Sequence, residues 1–187
     1  IMNCNTGSFG LNSETCPNCG LITTHYNSCR NRNCPNCQAI PKEKWVDKRS
    51  SEIIDGSYYH VVFTVPAELN PLFYANQAVM YDLLHRCAAE TVLQLAADRK
   101  FLGAVPGIIQ VLHTWGQKLN YHPHIHAIVT GSGLALGCRY VPNLRKDFFI
   151  PVRVLSRKFR GKFMYFLKEL YDAGKLSIPS SCQLLED

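Results

Sequence analysis

The chain is 187 residues long, carries a net charge of +6 and contains nine cysteines. That length suits one domain or one and a fraction, and such a chain can bury roughly 70% of its unfolded surface. At 47% hydrophobic and 18% charged it is neither disordered nor collagen-like. No apolar run reaches the roughly 18 residues of a membrane span, and no signal-peptide pattern opens the chain. The positive balance permits an anionic partner.

Six cysteines fall in the first 37 residues: Cys4, Cys16, Cys19, Cys29, Cys34 and Cys37. Cys87, Cys138 and Cys182 are isolated, and an odd total with a local cluster argues against a disulfide framework. Cys16-Pro17-Asn18-Cys19 and Cys34-Pro35-Asn36-Cys37 are two Cys-x-x-Cys pairs with 14 residues between them. Two such pairs predict four thiolates, Cys16, Cys19, Cys34 and Cys37, on one tetrahedral structural zinc. Cys29, His25 and Cys4 are spare donors that could complete a second site or replace one of the four. The zinc is read first as a staple for a segment with little core of its own. These features predict a zinc-binding module over residues 1–50.

The remainder, 51–187, reads as a second domain. A helix is expected over 41–56 with Trp45 and Val46 on its packed side. Residues 58–65 are β-branched and aromatic and stop at Pro66, which predicts a strand. Apolar residues at helical spacing run from about 72 to 100. Residues 107–114 and 124–130 predict two more strands joined as a hairpin, the second ending at Gly131-Ser132-Gly133. A basic helix over 156–172 follows, with Gly174 suited to its C-terminal cap. This order predicts an α+β fold, an antiparallel sheet with helices packed on one face.

His122-Pro123-His124-Ile125-His126 lies on the third of these strands. Alternate residues of a strand share a face, so His124 and His126 point the same way about 7 Å apart and can share one divalent metal. His122 has the same parity, but Pro123 disturbs the strand there. His60 and His113 could face the same site, although each reads more readily as a core or edge histidine.

Charge is uneven. Residues 139–175 carry 10 basic and 3 acidic groups. Arg153, Arg157, Lys158, Arg160 and Lys162 are interleaved with Phe159, Phe163, Tyr165 and Phe166. Basic residues mixed with aromatics suit a nucleic-acid surface, as they equally suit an amphipathic helix with its aromatics inward. Arg30 and Arg32 add positive charge beside the second cysteine pair.

Residues 26–38 (YNSCRNRNCPNCQ) resemble the zinc-binding module of a group of bacterial insertion-sequence transposases. Residues 60–72 (HVVFTVPAELNPL), 114–134 (TWGQKLNYHPHIHAIVTGSGL) and 160–170 (RGKFMYFLKEL) resemble the start of the same family's catalytic domain. These are the rolling-circle, single-strand transposases of the HUH class, named for a histidine–bulky hydrophobic–histidine motif that His124-Ile125-His126 matches. Asn33 departs from the family, which most often has histidine there. The resemblance implies that His124 and His126 are catalytic and hold magnesium or manganese against a scissile phosphate of single-stranded DNA at the ends of a mobile element. It implies a tyrosine nucleophile forming a 5′-phosphotyrosine link, and a zinc module that helps bind DNA ends. The family's nucleophile lies downstream of the last helix here, and Tyr165 and Tyr171 do not match it, so a C-terminally incomplete catalytic domain, inactive alone, is expected. The third metal ligand is expected from a later segment or from His60. A bacterial cytoplasmic, nucleoid-associated protein without a membrane is implied, with oligomerisation left open.

Two other readings remain open. His122, His124 and His126 followed by Ala127-Ile128 also resemble the histidine-triad nucleotide hydrolases, which use no metal. A non-catalytic, zinc-dependent nucleic-acid-binding protein would share the cysteine cluster and the basic helix.

Overall fold

The computed structural model describes residues 1–143 and 147–185, with side chains through Cys182. Residues 144–146 of the basic block lie outside the described residues. The chain divides into two compact units, Ile1–Asp55 and Gly56–Asp187.

The first unit contains an antiparallel ribbon of β1 (Leu11–Thr15) and β2 (Ile22–Tyr26), followed by helix α1 (Pro35–Ser51). The helix begins six residues earlier than expected because Pro35 occupies its first turn, where a missing N–H costs nothing. It continues through Pro41 and buries none of its residues. Trp45 and Val46, expected on a packed side, are 51% and 43% exposed, since this unit offers no core to receive them. Its buried apolar residues, among those described, are Cys4 and Cys34.

The second unit is built differently. Strands β3 (Tyr58–Thr64), β4 (Val105–Trp115), β5 (Tyr121–Ala135) and β6 (Arg139–Val141) form an antiparallel sheet. β5 lies between β3 and β4, and β6 pairs with its far end. Helices α2 (Asn70–Ala75), α3 (Gln77–Ala97) and α4 (Val152–Asp172) complete the unit. The expected α+β architecture, an antiparallel sheet covered by helices on one face, is the observed one.

Alternation along the strands sets the two faces. Val61 and Phe63 of β3 and Ile125, Ala127 and Val129 of β5 are buried and join one core with Leu84, Ala88 and Val92 of α3. Leu155, Phe159 and Phe163 recur every four residues along α4 and supply its buried stripe. Phe159 packs 5.0 Å from Phe63, ring centre to ring centre. Thr91 is fully buried but satisfied, because its hydroxyl donates to the Cys87 carbonyl at 2.6 Å.

β5 is longer than its sequence suggests. It runs through Gly131-Ser132-Gly133 because those glycines permit close neighbours. A Cβ at Gly131 would stand 2.9 Å from the Ser57 carbonyl oxygen, and one at Gly133 would stand 2.6 Å from that of Val105. Glycine here continues the strand instead of ending it. At the other end, the register shifts between His113 and Trp115 opposite residues 121–124, so Pro123 sits at a bulge where no ladder N–H is required. α4 ends as expected, with Gly174 at φ 63° just beyond it. Among the described residues, no helix is long and apolar enough to cross a membrane.

Candidate metal centres

In the first unit the cysteines sort into two groups. Cys4, Cys29, Cys34 and Cys37 converge, with all four sulfurs within 4.8 Å of one another. The Cys4 and Cys37 sulfurs are 3.5 Å apart and those of Cys29 and Cys37 are 3.7 Å apart. Four thiolates at about 2.3 Å from one tetrahedral zinc lie roughly 3.8 Å from each other, so this set fits that ion. Burial opposes ionisation of Cys37, but contacts from Cys4, Ser28, Cys29 and Cys34 outweigh it and hold its thiol down at about 7. The Cys37 backbone N–H is the first of several groups that lower the Cys34 thiol. Two sulfurs of the cluster are thus inclined to the thiolate form a metal needs.

This quartet differs from the one expected from spacing. Cys34 and Cys37 belong to it, but Cys4 and Cys29 take the places assigned to Cys16 and Cys19. The reason is the ribbon between the two pairs. Cys16-Pro17-Asn18-Cys19 forms its turn, where the Cys16 N–H donates to the Leu21 carbonyl and the Gly20 N–H to that of Cys16. Five residues per strand at about 3.3 Å each carry that turn away from Cys29, which follows the ribbon's other end. His25 is exposed on β2 opposite Asn12 and is in neither group. The Cys16 thiol is lowered by the N–H groups of Asn18 and Cys19, a hairpin-turn feature independent of the quartet.

In the second unit the open face of the sheet collects histidines. His124 and His126 share it as predicted, and His113 of β4 pairs directly with His124. These three imidazoles each offer a nitrogen within 4.8 Å of the others. The Nε2 atoms of His124 and His126 are 3.0 Å apart. His124 Nδ1 lies 2.6 Å from the His122 carbonyl oxygen, to which it donates, so its Nε2 carries a lone pair directed to the shared site. His126 is held below the usual imidazole range, first by burial and then by His113, His124 and His60, which favours its neutral, metal-binding form. His113 stacks on Trp115 with centroids 5.3 Å apart. The donor set suits a divalent ion.

The third imidazole therefore comes from His113, which spacing alone placed in the core or at an edge. Its signal was available only through the β4–β5 register. His122 stands outside the trio and contributes its carbonyl, because the bulge at Pro123 breaks the alternation. His60 contacts His126 from β3 and is not in the trio either.

α4 lies in the helical layer, on the other side of the sheet from the imidazoles. Arg153, Arg157 and Lys158 line a groove of about 640 Å³ beside Gln94 and Leu95 of α3. Lys162 also borders it, but its Nζ is 2.7 Å from a Glu90 carboxylate oxygen and is therefore engaged. Arg160 is exposed on α4, and Arg30 and Arg32 are exposed in the first unit. Tyr165 donates to Glu169 on the same helix, and Tyr171 follows one further turn and a half along it.

Comparison with known proteins gives two matches to transposase families. Residues 1–65 match the family model described as "Transposase zinc-binding domain", and residues 107–186 match one described as "Putative transposase". A protein of Sinorhizobium fredii described as "Putative transposase y4qJ" is 42% identical over 98% of this chain and 46% of its own length. The transposase for insertion sequence element IS801 of Pseudomonas savastanoi pv. phaseolicola is 36% identical over 72% of this chain and 32% of its own length. The chain belongs to the insertion-sequence transposases with a zinc-binding domain. It spans about half the length, or less, of these curated relatives. Among solved structures, the conjugative relaxase TrwC in complex with oriT DNA, in a metal-bound form, aligns at TM-score 0.46 and 16% identity over 59% of this chain and 43% of that one.

Proposed function

We propose that this transposase chain carries the metal-binding part of a HUH-type active site that cleaves and rejoins single-stranded DNA at the ends of a mobile element. The observation that supports the reading most is the convergence of His113, His124 and His126 on the open face of the sheet. These imidazoles would hold Mg²⁺ or Mn²⁺, which when bound supplies Lewis acidity at a phosphate oxygen. His124 keeps its Nε2 directed to the site by donating Nδ1–H to the His122 carbonyl. Cys4, Cys29, Cys34 and Cys37 would hold a structural zinc in the first unit.

The chemistry is a transesterification. A tyrosine oxygen bonds to phosphorus, the bond from phosphorus to the 3′ oxygen breaks, and that oxygen takes up a proton to become a free 3′-hydroxyl. The 5′-phosphotyrosine link retains the energy for rejoining to another strand. Tyr165 and Tyr171 lie on α4, across the sheet from the histidines, which supports a nucleophile supplied from outside residues 1–187. The α4 cations Arg153, Arg157, Lys158 and Arg160, with Arg30 and Arg32, are the proposed DNA contacts. Those on α4 would meet a stretch of DNA away from the reacting phosphate. Such a protein would act on the DNA of the bacterial nucleoid, in the cytoplasm.

A labelled single-stranded oligonucleotide carrying an element end, incubated with Mn²⁺, tests this reading. A full-length curated relative is expected to form a chelator-sensitive covalent adduct, lost when the histidine at the position of His124 is replaced by alanine. Chelator-insensitive cleavage would contradict it. A covalent adduct on residues 1–187 alone would overturn the external nucleophile. Tyr58, on the open face two positions before His60, would then be the first residue to map.

A further inference from the structure

A fourth imidazole stands behind the trio. His60 lies on β3 opposite Ile128, one diagonal step from His126. Its Nε2 is 2.7 Å from His126 Nδ1, and the two rings are nearly parallel, 10° apart, with centroids separated by 4.9 Å. His126 thus has both nitrogens occupied: Nε2 faces His124 and the shared site, and Nδ1 faces His60.

Metal at the shared site would fix the protons. A neutral imidazole has one N–H and one lone pair. When His126 gives its Nε2 lone pair to a metal, its Nδ1 must carry the proton, and the group facing Nδ1 must accept. His60 Nε2 then presents a lone pair, and the His60 proton sits on its own Nδ1. His124 meets the same need through the His122 carbonyl. A backbone carbonyl cannot be removed by substitution, whereas His60 can.

We propose that His60 is a positioning residue for the metal site, an acceptor that locks His126 in the Nδ1–H tautomer and aims its Nε2. It is neither a ligand nor a passive edge residue. This rests on the metal-site reading above. Partners of this kind orient ligating histidines, and their loss typically weakens metal affinity about 10- to 100-fold.

The test measures Mn²⁺ binding to the 187-residue chain by loss of the free-ion electron paramagnetic resonance signal, counting only the site that His124→Ala removes. His60→Leu keeps bulk but no acceptor and is expected to weaken that site by about 10- to 100-fold. His60→Gln places an acceptor oxygen near the former Nε2 and is expected to restore most of the affinity. Binding by His60→Leu within about two-fold of the unsubstituted chain, with His124→Ala still defective, would overturn the positioning role alone. Unchanged binding by His124→Ala as well would overturn the metal site itself. Long-range ¹H–¹⁵N spectra of the unsubstituted chain loaded with Zn²⁺ give a readout that needs no variant. His126 is expected to be protonated at Nδ1 and His60 unprotonated at Nε2, and a protonated His60 Nε2 facing His126 would contradict the proposal.

Discussion

The two candidate metal centres are held by different kinds of structure. The cysteine quartet sits in a unit whose helix buries nothing and whose buried apolar residues are two of its own members, Cys4 and Cys34. The histidine trio sits on a sheet backed by a continuous apolar core, including Phe73, Met80, Leu84, Ile125 and Val129, all fully buried. In the first unit the metal would make the fold. In the second the fold makes the candidate site, because strand register sets which imidazoles meet. Removing metal should therefore unfold one unit and leave the other standing.

The largest expected effect breaks the first half of that comparison. Cys34→Ser, or a strong chelator, should abolish ordered structure in residues 1–55, since structural zinc contributes about 10–16 kcal/mol to such folds. Amide exchange would show fast exchange there and unchanged protection in β5. Cys16→Ser should leave the quartet's zinc in place, as shown by metal content after dialysis. Loss of zinc in Cys16→Ser and retention in Cys4→Ser would restore the ligand set expected from spacing.

A smaller effect probes the second unit. Ile125→Ala removes a fully buried side chain between two histidines and should cost about 2–5 kcal/mol in denaturant unfolding. Val46→Ala, on an exposed position of α1, should stay within about 0.5 kcal/mol. Comparable losses at both positions would mean that the first unit has a core after all.

The smallest effect concerns the contact between α3 and α4. Arg86 first, then Lys162, holds the Glu90 carboxyl below the usual carboxylate range. A carboxylate lowered in this way stabilises the fold above that range, and the contribution is lost as pH falls through its folded value. The side chain is 35% exposed, so Glu90→Gln should cost about 1 kcal/mol or less at neutral pH. The difference from the unsubstituted chain should vanish in acid; a difference that persists there would rule out the charge as its source.

Much of the second unit was legible in the sequence because its strands carry strong alternation and its helices a 3.6-residue period. His124 and His126 followed from parity alone. His113 did not, because its partner was a matter of pairing between strands, which no local pattern reveals. His122 looked equivalent until Pro123 introduced the bulge. The cysteines were legible as a metal set, but the four that converge are Cys34 and Cys37 with the spare donors Cys4 and Cys29, not the two Cys-x-x-Cys pairs. Counting Cys-x-x-Cys pairs ignores the chain between them, and here that chain folds into a ribbon that carries one pair away. The polar, exposed residues of β1 and β2 gave no sign of the ribbon they form.

The trio of imidazoles carries the proposed chemistry. Anomalous diffraction from crystals of this chain soaked in Mn²⁺ tests it most directly. The expected result is a peak about 2.0–2.3 Å from one ring nitrogen each of His113, His124 and His126, with His60 a shell further out behind His126. A peak bound by His60 or His122 in place of His113, or none on the open face at saturating Mn²⁺, would contradict it.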